Sequence, residues 1–172
     1  FSKGAFPFAT NIPILTDEER QQVGTCYKQE GSQAATKLGH ELVKDDTKQH
    51  RIDAWAAFLN ANPQAWIYCF RGGQRSTIAQ RWLAESGIDV PKIEGGYKAL
   101  RRSLLHLYDN LPPLVIVAGK TGVGKTILLN DLNNSIDLEG RANHRGSAFG
   151  NYWTQQPSQI DFENRVAIDL LK

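Results

Sequence analysis

The stretch "LVIVAGKTGVGKTILLNDL", residues 114–132, places a glycine-rich loop between an apolar run and a helical pattern. Its loop satisfies the spacing G-x4-G-K-[ST] of a phosphate-binding loop, or P-loop. The run 114–118 predicts a buried strand and the residues after the loop predict a helix, which is the context that this spacing requires. The stretch therefore predicts an α/β domain that holds a phosphorylated ligand.

Each residue type in this loop has a role in binding phosphate. Glycines let backbone N–H groups converge on phosphate oxygens, and the N-terminus of the following helix adds positive potential. Lys125 neutralises the distal phosphates, and Thr126 is placed to hold Mg²⁺. The loop therefore predicts binding of a diphosphate or triphosphate. It does not establish hydrolysis, because no aspartate after a later apolar strand is evident to orient that metal. The predicted phosphate-binding residues are Gly119, Lys120, Thr121, Gly122, Val123, Gly124, Lys125 and Thr126.

A second loop, "YCFRGGQRS" at residues 68–76, follows the short apolar run 65–69, which predicts a strand that ends at Cys69. Cysteine reacts as its thiolate, and backbone N–H groups, a helix N-terminus and arginines all lower its pKa. A buried structural cysteine is the alternative, and the two arginines of the loop favour the functional interpretation because they can clamp an oxyanion. The predicted catalytic residues are Cys69, Arg71 and Arg75, and the predicted oxyanion cradle is Phe70, Gly72, Gly73, Gln74 and Ser76.

Helical patterns with recognisable ends account for much of the remaining sequence. Thr16 and Glu19 fit a capping box, and Ser158 repeats this signal near the carboxyl end. Ser76 is predicted to cap the helix after the second loop and Gly87 to end it. Further helices are predicted around residues 35–42, 52–59, 97–111 and 127–132, and short strands or turns at 90–96 and 135–140. Pro112 and Pro113 form a stiff break, so the predicted domains are residues 1–111 and 114–172.

The composition is that of an ordinary soluble protein. The 172 residues are 41% hydrophobic and carry a formal net charge of +2, which permits a polyanionic partner without requiring one. Two cysteines and four histidines show neither a disulfide framework nor zinc spacing, which favours a reducing cytoplasm. No apolar run is long enough for a membrane span. Because methionine is absent, we expect the chain to be part of a longer protein.

Several long segments occur together in one order: "KGAFPFATNIP", "VGTCYKQEGSQAA", the Cys69 loop, "IEGGYKALRR", the P-loop and "DLEGRANHRGSAFG". In this combination the whole chain resembles the tRNA 2-selenouridine synthase family. The resemblance implies an α/β architecture in which a rhodanese-like domain precedes a P-loop NTPase-like domain. Both are expected to be incomplete in this chain, since the first lacks its initial strand and the second is too short to complete its sheet.

The family replaces sulfur by selenium in the wobble 2-thiouridine of tRNA. The resemblance implies selenophosphate as the donor and a geranylated thiouridine, made from geranyl diphosphate, as the intermediate. It implies that Cys69 receives selenium as a perselenide or otherwise handles selenophosphate, and that the P-loop holds geranyl diphosphate or, alternatively, ATP. The expected partners are tRNA and a selenophosphate supplier, with no membrane, and no tightly bound cofactor is expected besides Mg²⁺ at the P-loop.

Loop length supports a rival function. Five residues separate Cys69 from Arg75. Ordinary rhodanese loops have four residues at this place, and the loops of cysteine phosphatases have five. A simple sulfurtransferase or a phosphatase coupled to a nucleotide site is therefore the alternative, although Tyr68 occupies the position where phosphatases usually have histidine.

Further candidates each have a structural alternative. Gly95 and Gly96 are expected to shape the turn beside the Cys69 loop. Cys26, in a turn beside a helix, could resolve a persulfide or be a structural thiol. Asp137 and Glu139 could meet Mg²⁺ or be exposed acids. The remaining candidates, expected to contact an anion or RNA or simply water, are Lys98, Arg101, Arg102, Arg141, His144 and Arg145.

Overall fold

The computed structural model describes residues 4–120 and 122–171. Within them the chain forms eight helices and no continuous strand. Thr121 of the predicted phosphate-binding set lies outside the described residues. In chain order the helices are α1 (Asp17–Glu30), α2 (Ser32–Leu42), α3 (Asp45–Ala61), α4 (Gln74–Glu85), α5 (Gly96–Asp109), α6 (Lys125–Asn130), α7 (Leu138–Arg141) and α8 (Gln159–Asp169).

The chain divides into two compact units, and the division falls within α5. One unit contains Asn11–Ala99, and the other contains Phe1–Thr10 and Leu100–Lys172. These units group residues by spatial contact and do not test the predicted domain boundaries, which are 1–111 and 114–172. Those limits therefore stay a prediction.

The helix ends confirm the local signals in the sequence. The Thr16 hydroxyl accepts a hydrogen bond from the Glu19 N–H at 3.2 Å, and the Glu19 carboxylate accepts one from the Thr16 N–H at 2.7 Å. Ser158 caps α8 by accepting a hydrogen bond from the Asp161 N–H at 3.1 Å. Each cap satisfies helix N–H groups that would otherwise lack a partner.

One predicted helix cap is wrong, and one segment predicted as a strand or turn starts a helix. Ser76 does not cap α4, which begins two positions earlier with Gly73 as its N-cap. The segment 135–140 is not a strand, because Asp137 accepts a hydrogen bond from the Gly140 N–H at 3.0 Å and so starts the short helix α7. At α7 the Asp137 side chain supplies the cap, whereas α4 begins after Gly73 without a side-chain cap. Sequence spacing alone therefore did not locate either helix start.

The predicted strands at 65–69 and 90–96 are reduced to one parallel bridge between Ile67 and Lys92. The Ile67 N–H donates to the Pro91 carbonyl, and the Ile93 N–H donates to the Ile67 carbonyl, each at 2.9 Å. The pairing stops there because Pro91 has no N–H to donate and the chain turns at Gly95 into α5. This single bridge nevertheless places the carboxyl end of the first segment beside the start of α5.

The predicted strand at 114–118 is also absent from the described residues. Val115 and Ile116 have 94% and 87% of their surface exposed. A parallel strand is buried only when neighbouring strands and covering helices surround it. Here the described residues provide no paired strand for this segment, so its apolar side chains remain on the surface.

The core of the unit Asn11–Ala99 joins helices α3 and α4. Its centre is the pair of Trp55 and Trp82, whose rings stack with centroids 6.2 Å apart. The Trp55 indole N–H donates to the Ile12 carbonyl at 2.9 Å, which ties the segment before α1 to this core. The other buried members of the cluster are Val43, Ile52, Leu83 and Val90.

The other unit is held by polar contacts between its first residues, α5 and α8. The buried Asn164 side chain donates to the Ala5 carbonyl at 3.0 Å and accepts from Arg101 at 2.7 Å. Arg101 also pairs with Glu163. The interpretation of Arg101 as a tRNA-facing or solvated cation is therefore wrong, because its guanidinium is used inside the fold.

Candidate functional site

The Cys69 loop is fixed against the start of α5 by backbone hydrogen bonds. The Tyr97 N–H donates to the Cys69 carbonyl at 3.0 Å, and the Lys98 N–H donates to the Phe70 carbonyl at 3.1 Å. The Phe70 and Tyr97 rings stack with centroids 6.0 Å apart, and the Lys98 ammonium lies 5.4 Å from the centroid of Phe70. The loop carbonyls therefore use the first N–H groups of α5, and these are not available to an anion.

Glycines make this close approach feasible, as expected for Gly95 and Gly96. A Cβ atom on Gly96 would lie 2.1 Å from the Cys69 carbonyl oxygen and 2.3 Å from the Gly72 nitrogen. A Cβ atom on Gly72 would lie 2.6 Å from the nitrogens of both Gly95 and Gly96. All three glycines also have positive φ angles, which other residues rarely adopt. The sequence signal for this contact was the pair of glycine doublets.

The Cys69 sulfur is half-buried and lies at the first turn of α4. The buried Ser76 hydroxyl is 3.3 Å from Sγ and 3.1 Å from the Gly73 carbonyl oxygen. The thiol itself lies 3.8 Å from the same carbonyl oxygen, to which it can donate. Ser76 has one hydroxyl proton, so it donates to the sulfur when Cys69 is ionised and is free to donate to Gly73 when it is not.

The environment lowers the pKa of the Cys69 thiol. Partial burial raises this pKa, but several interactions with the thiolate outweigh it. In order of size they are the Ser76 hydroxyl, the backbone N–H groups of Ser76 and Arg71, and the positive charge of Arg75. The structure thus brings together the thiol, the positive charge of Arg75 and oriented N–H donors, and Arg71 contributes its backbone N–H to this set. This is an arrangement suited to attack on an anionic reactant.

Ser76 gives a direct test of this arrangement. We expect Ser76→Ala to raise the pKa of Cys69, because the thiolate loses a hydrogen-bond donor while the thiol loses little. At a pH below the thiol pKa, alkylation of Cys69 should slow by about tenfold, the usual effect of one hydrogen bond to a charged group. The rate should recover at high pH, where the thiol ionises in both proteins.

The measurement is the rate of iodoacetamide labelling of the Cys69 peptide as a function of pH. Thr77→Ala is the matched control, because it removes the neighbouring hydroxyl, which accepts from Lys92 at 3.1 Å and does not contact the sulfur. An unchanged pH profile for Ser76→Ala would mean that its hydroxyl does not stabilise the thiolate.

The P-loop precedes α6, as its sequence context predicts. Gly122 and Gly124 have positive φ angles, and Gly124 is the N-cap of the helix. The Lys125 ammonium donates to the carbonyls of Gly119 at 3.0 Å and Lys120 at 3.1 Å. The Lys125 ammonium is therefore bound to carbonyls of its own loop, and it would have to leave them to donate to a phosphate. Thr126 follows in the helix, and the binding of a diphosphate and a magnesium ion by these residues stays a prediction.

The remaining candidates have structural partners in the described residues. Asp137 caps α7, and Arg141 forms a two-point ion pair with the buried Asp169, with N–O distances of 2.5 and 2.9 Å. Arg141 is therefore paired within the fold while remaining partly exposed, and its contact with an anion stays a prediction. The His144 ring accepts from the Gly146 N–H at 2.9 Å, and the Arg145 guanidinium lies 4.7 Å from the centroid of Tyr152.

Cys26 lies within α1, not in a turn, since the helix continues through Gly24 to Glu30. It lines a groove of about 700 Å³ between α1 and α2. The groups in this groove include Glu18, Lys37 and Glu41, and both cysteines of the chain are free. A resolving role for Cys26 stays a prediction.

Two general findings concern metals and membranes. Residues 4–120 and 122–171 contain no cluster of three histidine, cysteine or acidic side chains that could hold a metal ion. Among the helices in the same ranges, none is both long and apolar enough to cross a bilayer.

The described residues show a P-loop before α6 and a loop that lowers the pKa of the Cys69 thiol. The comparisons that follow fit a P-loop-type α/β domain. A family profile described as the tRNA 2-selenouridine synthase AAA domain matches residues 112–172. Two curated proteins called tRNA 2-selenouridine synthase align with the whole chain, at 57% identity in Pseudomonas fluorescens and 53% in Shewanella woodyi. Over its whole length the chain is thus similar to proteins of the tRNA 2-selenouridine synthase family.

The chain spans 48% of the length of each of these two relatives. Among solved structures it is similar to the "N-terminal domain of putative ATP/GTP binding protein" from Clostridium difficile 630. That similarity has 33% identity and a TM-score of 0.51, and it covers 60% of this chain and 80% of the other.

Proposed function

We propose that the chain is part of a tRNA-modifying enzyme that replaces sulfur by selenium in the wobble 2-thiouridine of tRNA. The observation that carries this proposal is the similarity of the whole chain to tRNA 2-selenouridine synthases. The enzyme would act in the cytoplasm on tRNA and draw on a selenophosphate supplier. Residues 1–111 would form the rhodanese-like domain, and residues 114–172 would begin the P-loop domain.

The proposed role of the Cys69 loop is to hold and open selenophosphate. Arg71, Arg75 and the N–H groups of the loop would bind the phosphoryl oxygens. The Cys69 thiolate would attack phosphorus, so that an S–P bond forms, the Se–P bond breaks and selenium leaves as selenide. Water would then hydrolyse the cysteinyl phosphate to phosphate.

This route is preferred to a perselenide for a redox reason. If the thiolate took selenium directly, phosphorus would keep the electron pair of the Se–P bond and leave as phosphite. Attack at phosphorus changes no oxidation state and needs no further reactant. The five-residue separation of Cys69 and Arg75 also suits a phosphoryl group. In the final step selenide would attack C2 of the geranylated uridine, the C–S bond would break, and geranyl thiolate would leave.

The proposed role of the P-loop is to hold geranyl diphosphate. The sulfur of 2-thiouridine would attack C1 of the geranyl group, and the C–O bond would break with loss of diphosphate. Lys125 would turn from the carbonyls of Gly119 and Lys120 to the diphosphate and stabilise its departing charge. Mg²⁺ held at Thr126 would neutralise the same charge. ATP is the alternative ligand of this loop.

The rival is a cysteine phosphatase, or a rhodanese-type sulfurtransferase, coupled to a nucleotide-binding domain. The phosphatase is favoured by the loop length and by a serine hydroxyl directed at the sulfur.

One assay separates these functions. Full-length protein is incubated with 2-thiouridine tRNA, geranyl diphosphate and selenophosphate, and the nucleosides are analysed by mass spectrometry. We expect selenouridine, and its amount should fall to background when either phosphorylated reactant is omitted. Release of phosphate from an aryl phosphate, without selenouridine, would favour the phosphatase. Release of sulfite from thiosulfate in the presence of cyanide, without selenouridine, would favour the sulfurtransferase.

A further inference from the structure

Residues 144–151 form a closed loop between α7 and α8. His144 and Asn151 pair as an antiparallel bridge at the ends of this loop. Inside it the Arg145 N–H donates to the Gly150 carbonyl at 2.8 Å, and Gly150 is buried. The backbone of the loop is therefore fixed by its own hydrogen bonds, and the side chains that it carries have defined positions.

The two residues that follow this loop are held from both sides. The Asn143 side chain donates to the Thr154 hydroxyl at 2.8 Å and to the Gln155 carbonyl at 3.2 Å. Tyr152 and Trp153 thus lie between the bridge and this clamp. Their side chains are exposed on a folded backbone and not on an unfolded segment.

Three aromatic rings and one cation face solvent at this place, and we call Arg145, Phe149, Tyr152 and Trp153 the aromatic–basic surface. The side chains of Phe149 and Trp153 are 97% and 95% exposed. The Arg145 guanidinium lies 4.7 Å from the centroid of the Tyr152 ring. Within the part of the chain that the structure describes, Arg145 forms no ion pair. Its charge is therefore available to an anion from outside.

The sequence around this surface has the charge of a site for a polyanion. Residues 141–160 contain no aspartate or glutamate. The Glu139 carboxylate comes from outside this stretch and lies against Gly146. A phosphate group at Arg145 therefore meets a cation, and the aromatic side chains beside it add no negative charge.

The kind of apolar side chain separates this surface from the exposed apolar residues around the P-loop. Between residues 143 and 156 the apolar side chains are aromatic apart from one alanine, with no leucine, isoleucine or valine. Around the P-loop the exposed side chains are aliphatic, and they include Val115, Ile116 and Ile127. An aliphatic strand is a surface for further polypeptide to cover. Aromatic rings next to an arginine are instead what proteins use to stack unpaired bases.

We propose that the aromatic–basic surface binds unpaired bases of RNA, with Phe149 and Trp153 stacked on bases and Arg145 facing a backbone phosphate. This assignment rests on the proposed function, in which the substrate is tRNA, and it names residues that contact the tRNA. The wobble base belongs to a loop of unpaired nucleotides, so its neighbours are available for stacking. Bases in a duplex are stacked on each other and are not available, so the surface prefers a single-stranded loop.

Binding of the full-length protein to two RNAs tests this assignment. One is the anticodon stem-loop of a 2-thiouridine tRNA, and the other is a fully paired duplex with the same number of nucleotides. Affinities are measured by fluorescence anisotropy. We expect Trp153→Ala and Phe149→Ala each to weaken stem-loop binding about tenfold, as for lost stacking on one base, and to leave duplex binding unchanged. Trp153→Phe keeps a ring and should stay within about threefold of the original affinity.

The salt dependence of stem-loop binding tests the phosphate contact separately from stacking. For single-stranded nucleic acid, the slope of log affinity against log salt concentration is about −0.7 for each phosphate contact. Arg145→Ala should make this slope shallower by about 0.7, whereas Trp153→Ala should leave it unchanged. An unchanged slope in Arg145→Ala would refute the phosphate contact.

Phe8→Ala is the matched control for Phe149→Ala. Phe8 is 98% exposed and belongs to the same compact unit, but it lies outside the aromatic–basic surface. It loses the same ring from an equally exposed position, so affinity for both RNAs should stay as in the original protein.

Four results would contradict the assignment in distinguishable ways. Unchanged stem-loop binding in both ring variants would refute the aromatic–basic surface and leave tRNA as the substrate. Equal losses for the stem-loop and the duplex would refute stacking on unpaired bases. A ring variant that does not fold, or unfolds several degrees lower, would show that the rest of the full-length protein covers the rings. An original protein that binds neither RNA would refute tRNA as the partner, and with it the proposed function.

Discussion

Replacing Cys69 by alanine is expected to lower selenouridine formation by at least about 10³-fold, while geranyl transfer to 2-thiouridine stays unchanged. Loss of a catalytic nucleophile has effects of this order or larger, because no other group can take its place. The variant leaves the P-loop intact, so geranylated tRNA should accumulate. The measurement is the amount of thiouridine, geranylated thiouridine and selenouridine after a fixed time, read by nucleoside mass spectrometry.

Lys125→Ala should have the complementary effect. Without its ammonium the departing diphosphate is less stabilised, and loss of one such charged donor typically lowers a rate by about 10²–10³-fold. Both products should then fall, because selenium insertion follows geranyl transfer. If tRNA that is already geranylated is supplied, Lys125→Ala should make selenouridine and Cys69→Ala should not.

A matched variant tests whether the Cys69 loop and the P-loop serve separate steps. Lys28→Ala removes an exposed lysine of α1 and should retain each activity. Equal loss of both steps in Cys69→Ala and Lys125→Ala, with geranylated tRNA unable to rescue the second, would show that the two loops do not act separately.

The helices could be predicted from the sequence because their signals are local. Thr16 and Glu19 lie within one turn, and each satisfies the backbone of the other without help from distant residues. The same is true of Ser158 and Asp161. A signal of this kind is complete in four residues, so it holds in the folded chain.

The strands could not be predicted equally well because a strand depends on its neighbours. The apolar run 114–118 has the composition of a buried strand, but Val115 and Ile116 are exposed because no paired strand covers them in the described residues. Between Ile67 and Lys92 the pairing exists and stops after one bridge, since Pro91, just before Lys92, has no N–H to donate and the chain turns at Gly95 after it.

The lowered pKa of the Cys69 thiol could be predicted from the loop sequence, but the role of each loop residue could be predicted only in part. Loop glycines and arginines next to a cysteine indicated a lowered thiol pKa, and the contacts of the sulfur agree with that chemistry. Ser76 was expected as a helix cap and part of a cradle. Its place in the first turn of α4 directs its hydroxyl at the sulfur, and only the helix start at Gln74 determines that.

Gly96→Ala is expected to disrupt the Cys69 loop and to lower selenouridine formation by about 100-fold or more. Its Cβ would lie 2.1 Å from the Cys69 carbonyl oxygen and 2.3 Å from the Gly72 nitrogen, and both are backbone atoms that cannot rotate away. The φ angle of 60° adds a cost of about 1–2 kcal/mol for any residue with a Cβ. The loop must therefore move, and a shift of about 1 Å at a reacting atom is enough for such a loss.

Gly73→Ala is the matched control, because it adds the same methyl group to the same loop. At Gly73 the φ angle is −91° and no atom lies within 4 Å of the added Cβ, so we expect stability and rate close to those of the original protein. Thermal unfolding and iodoacetamide labelling of Cys69 report the fold and the loop separately. If Gly96→Ala kept both the labelling rate and selenouridine formation, the close packing of the Cys69 loop on α5 could not be what positions the sulfur.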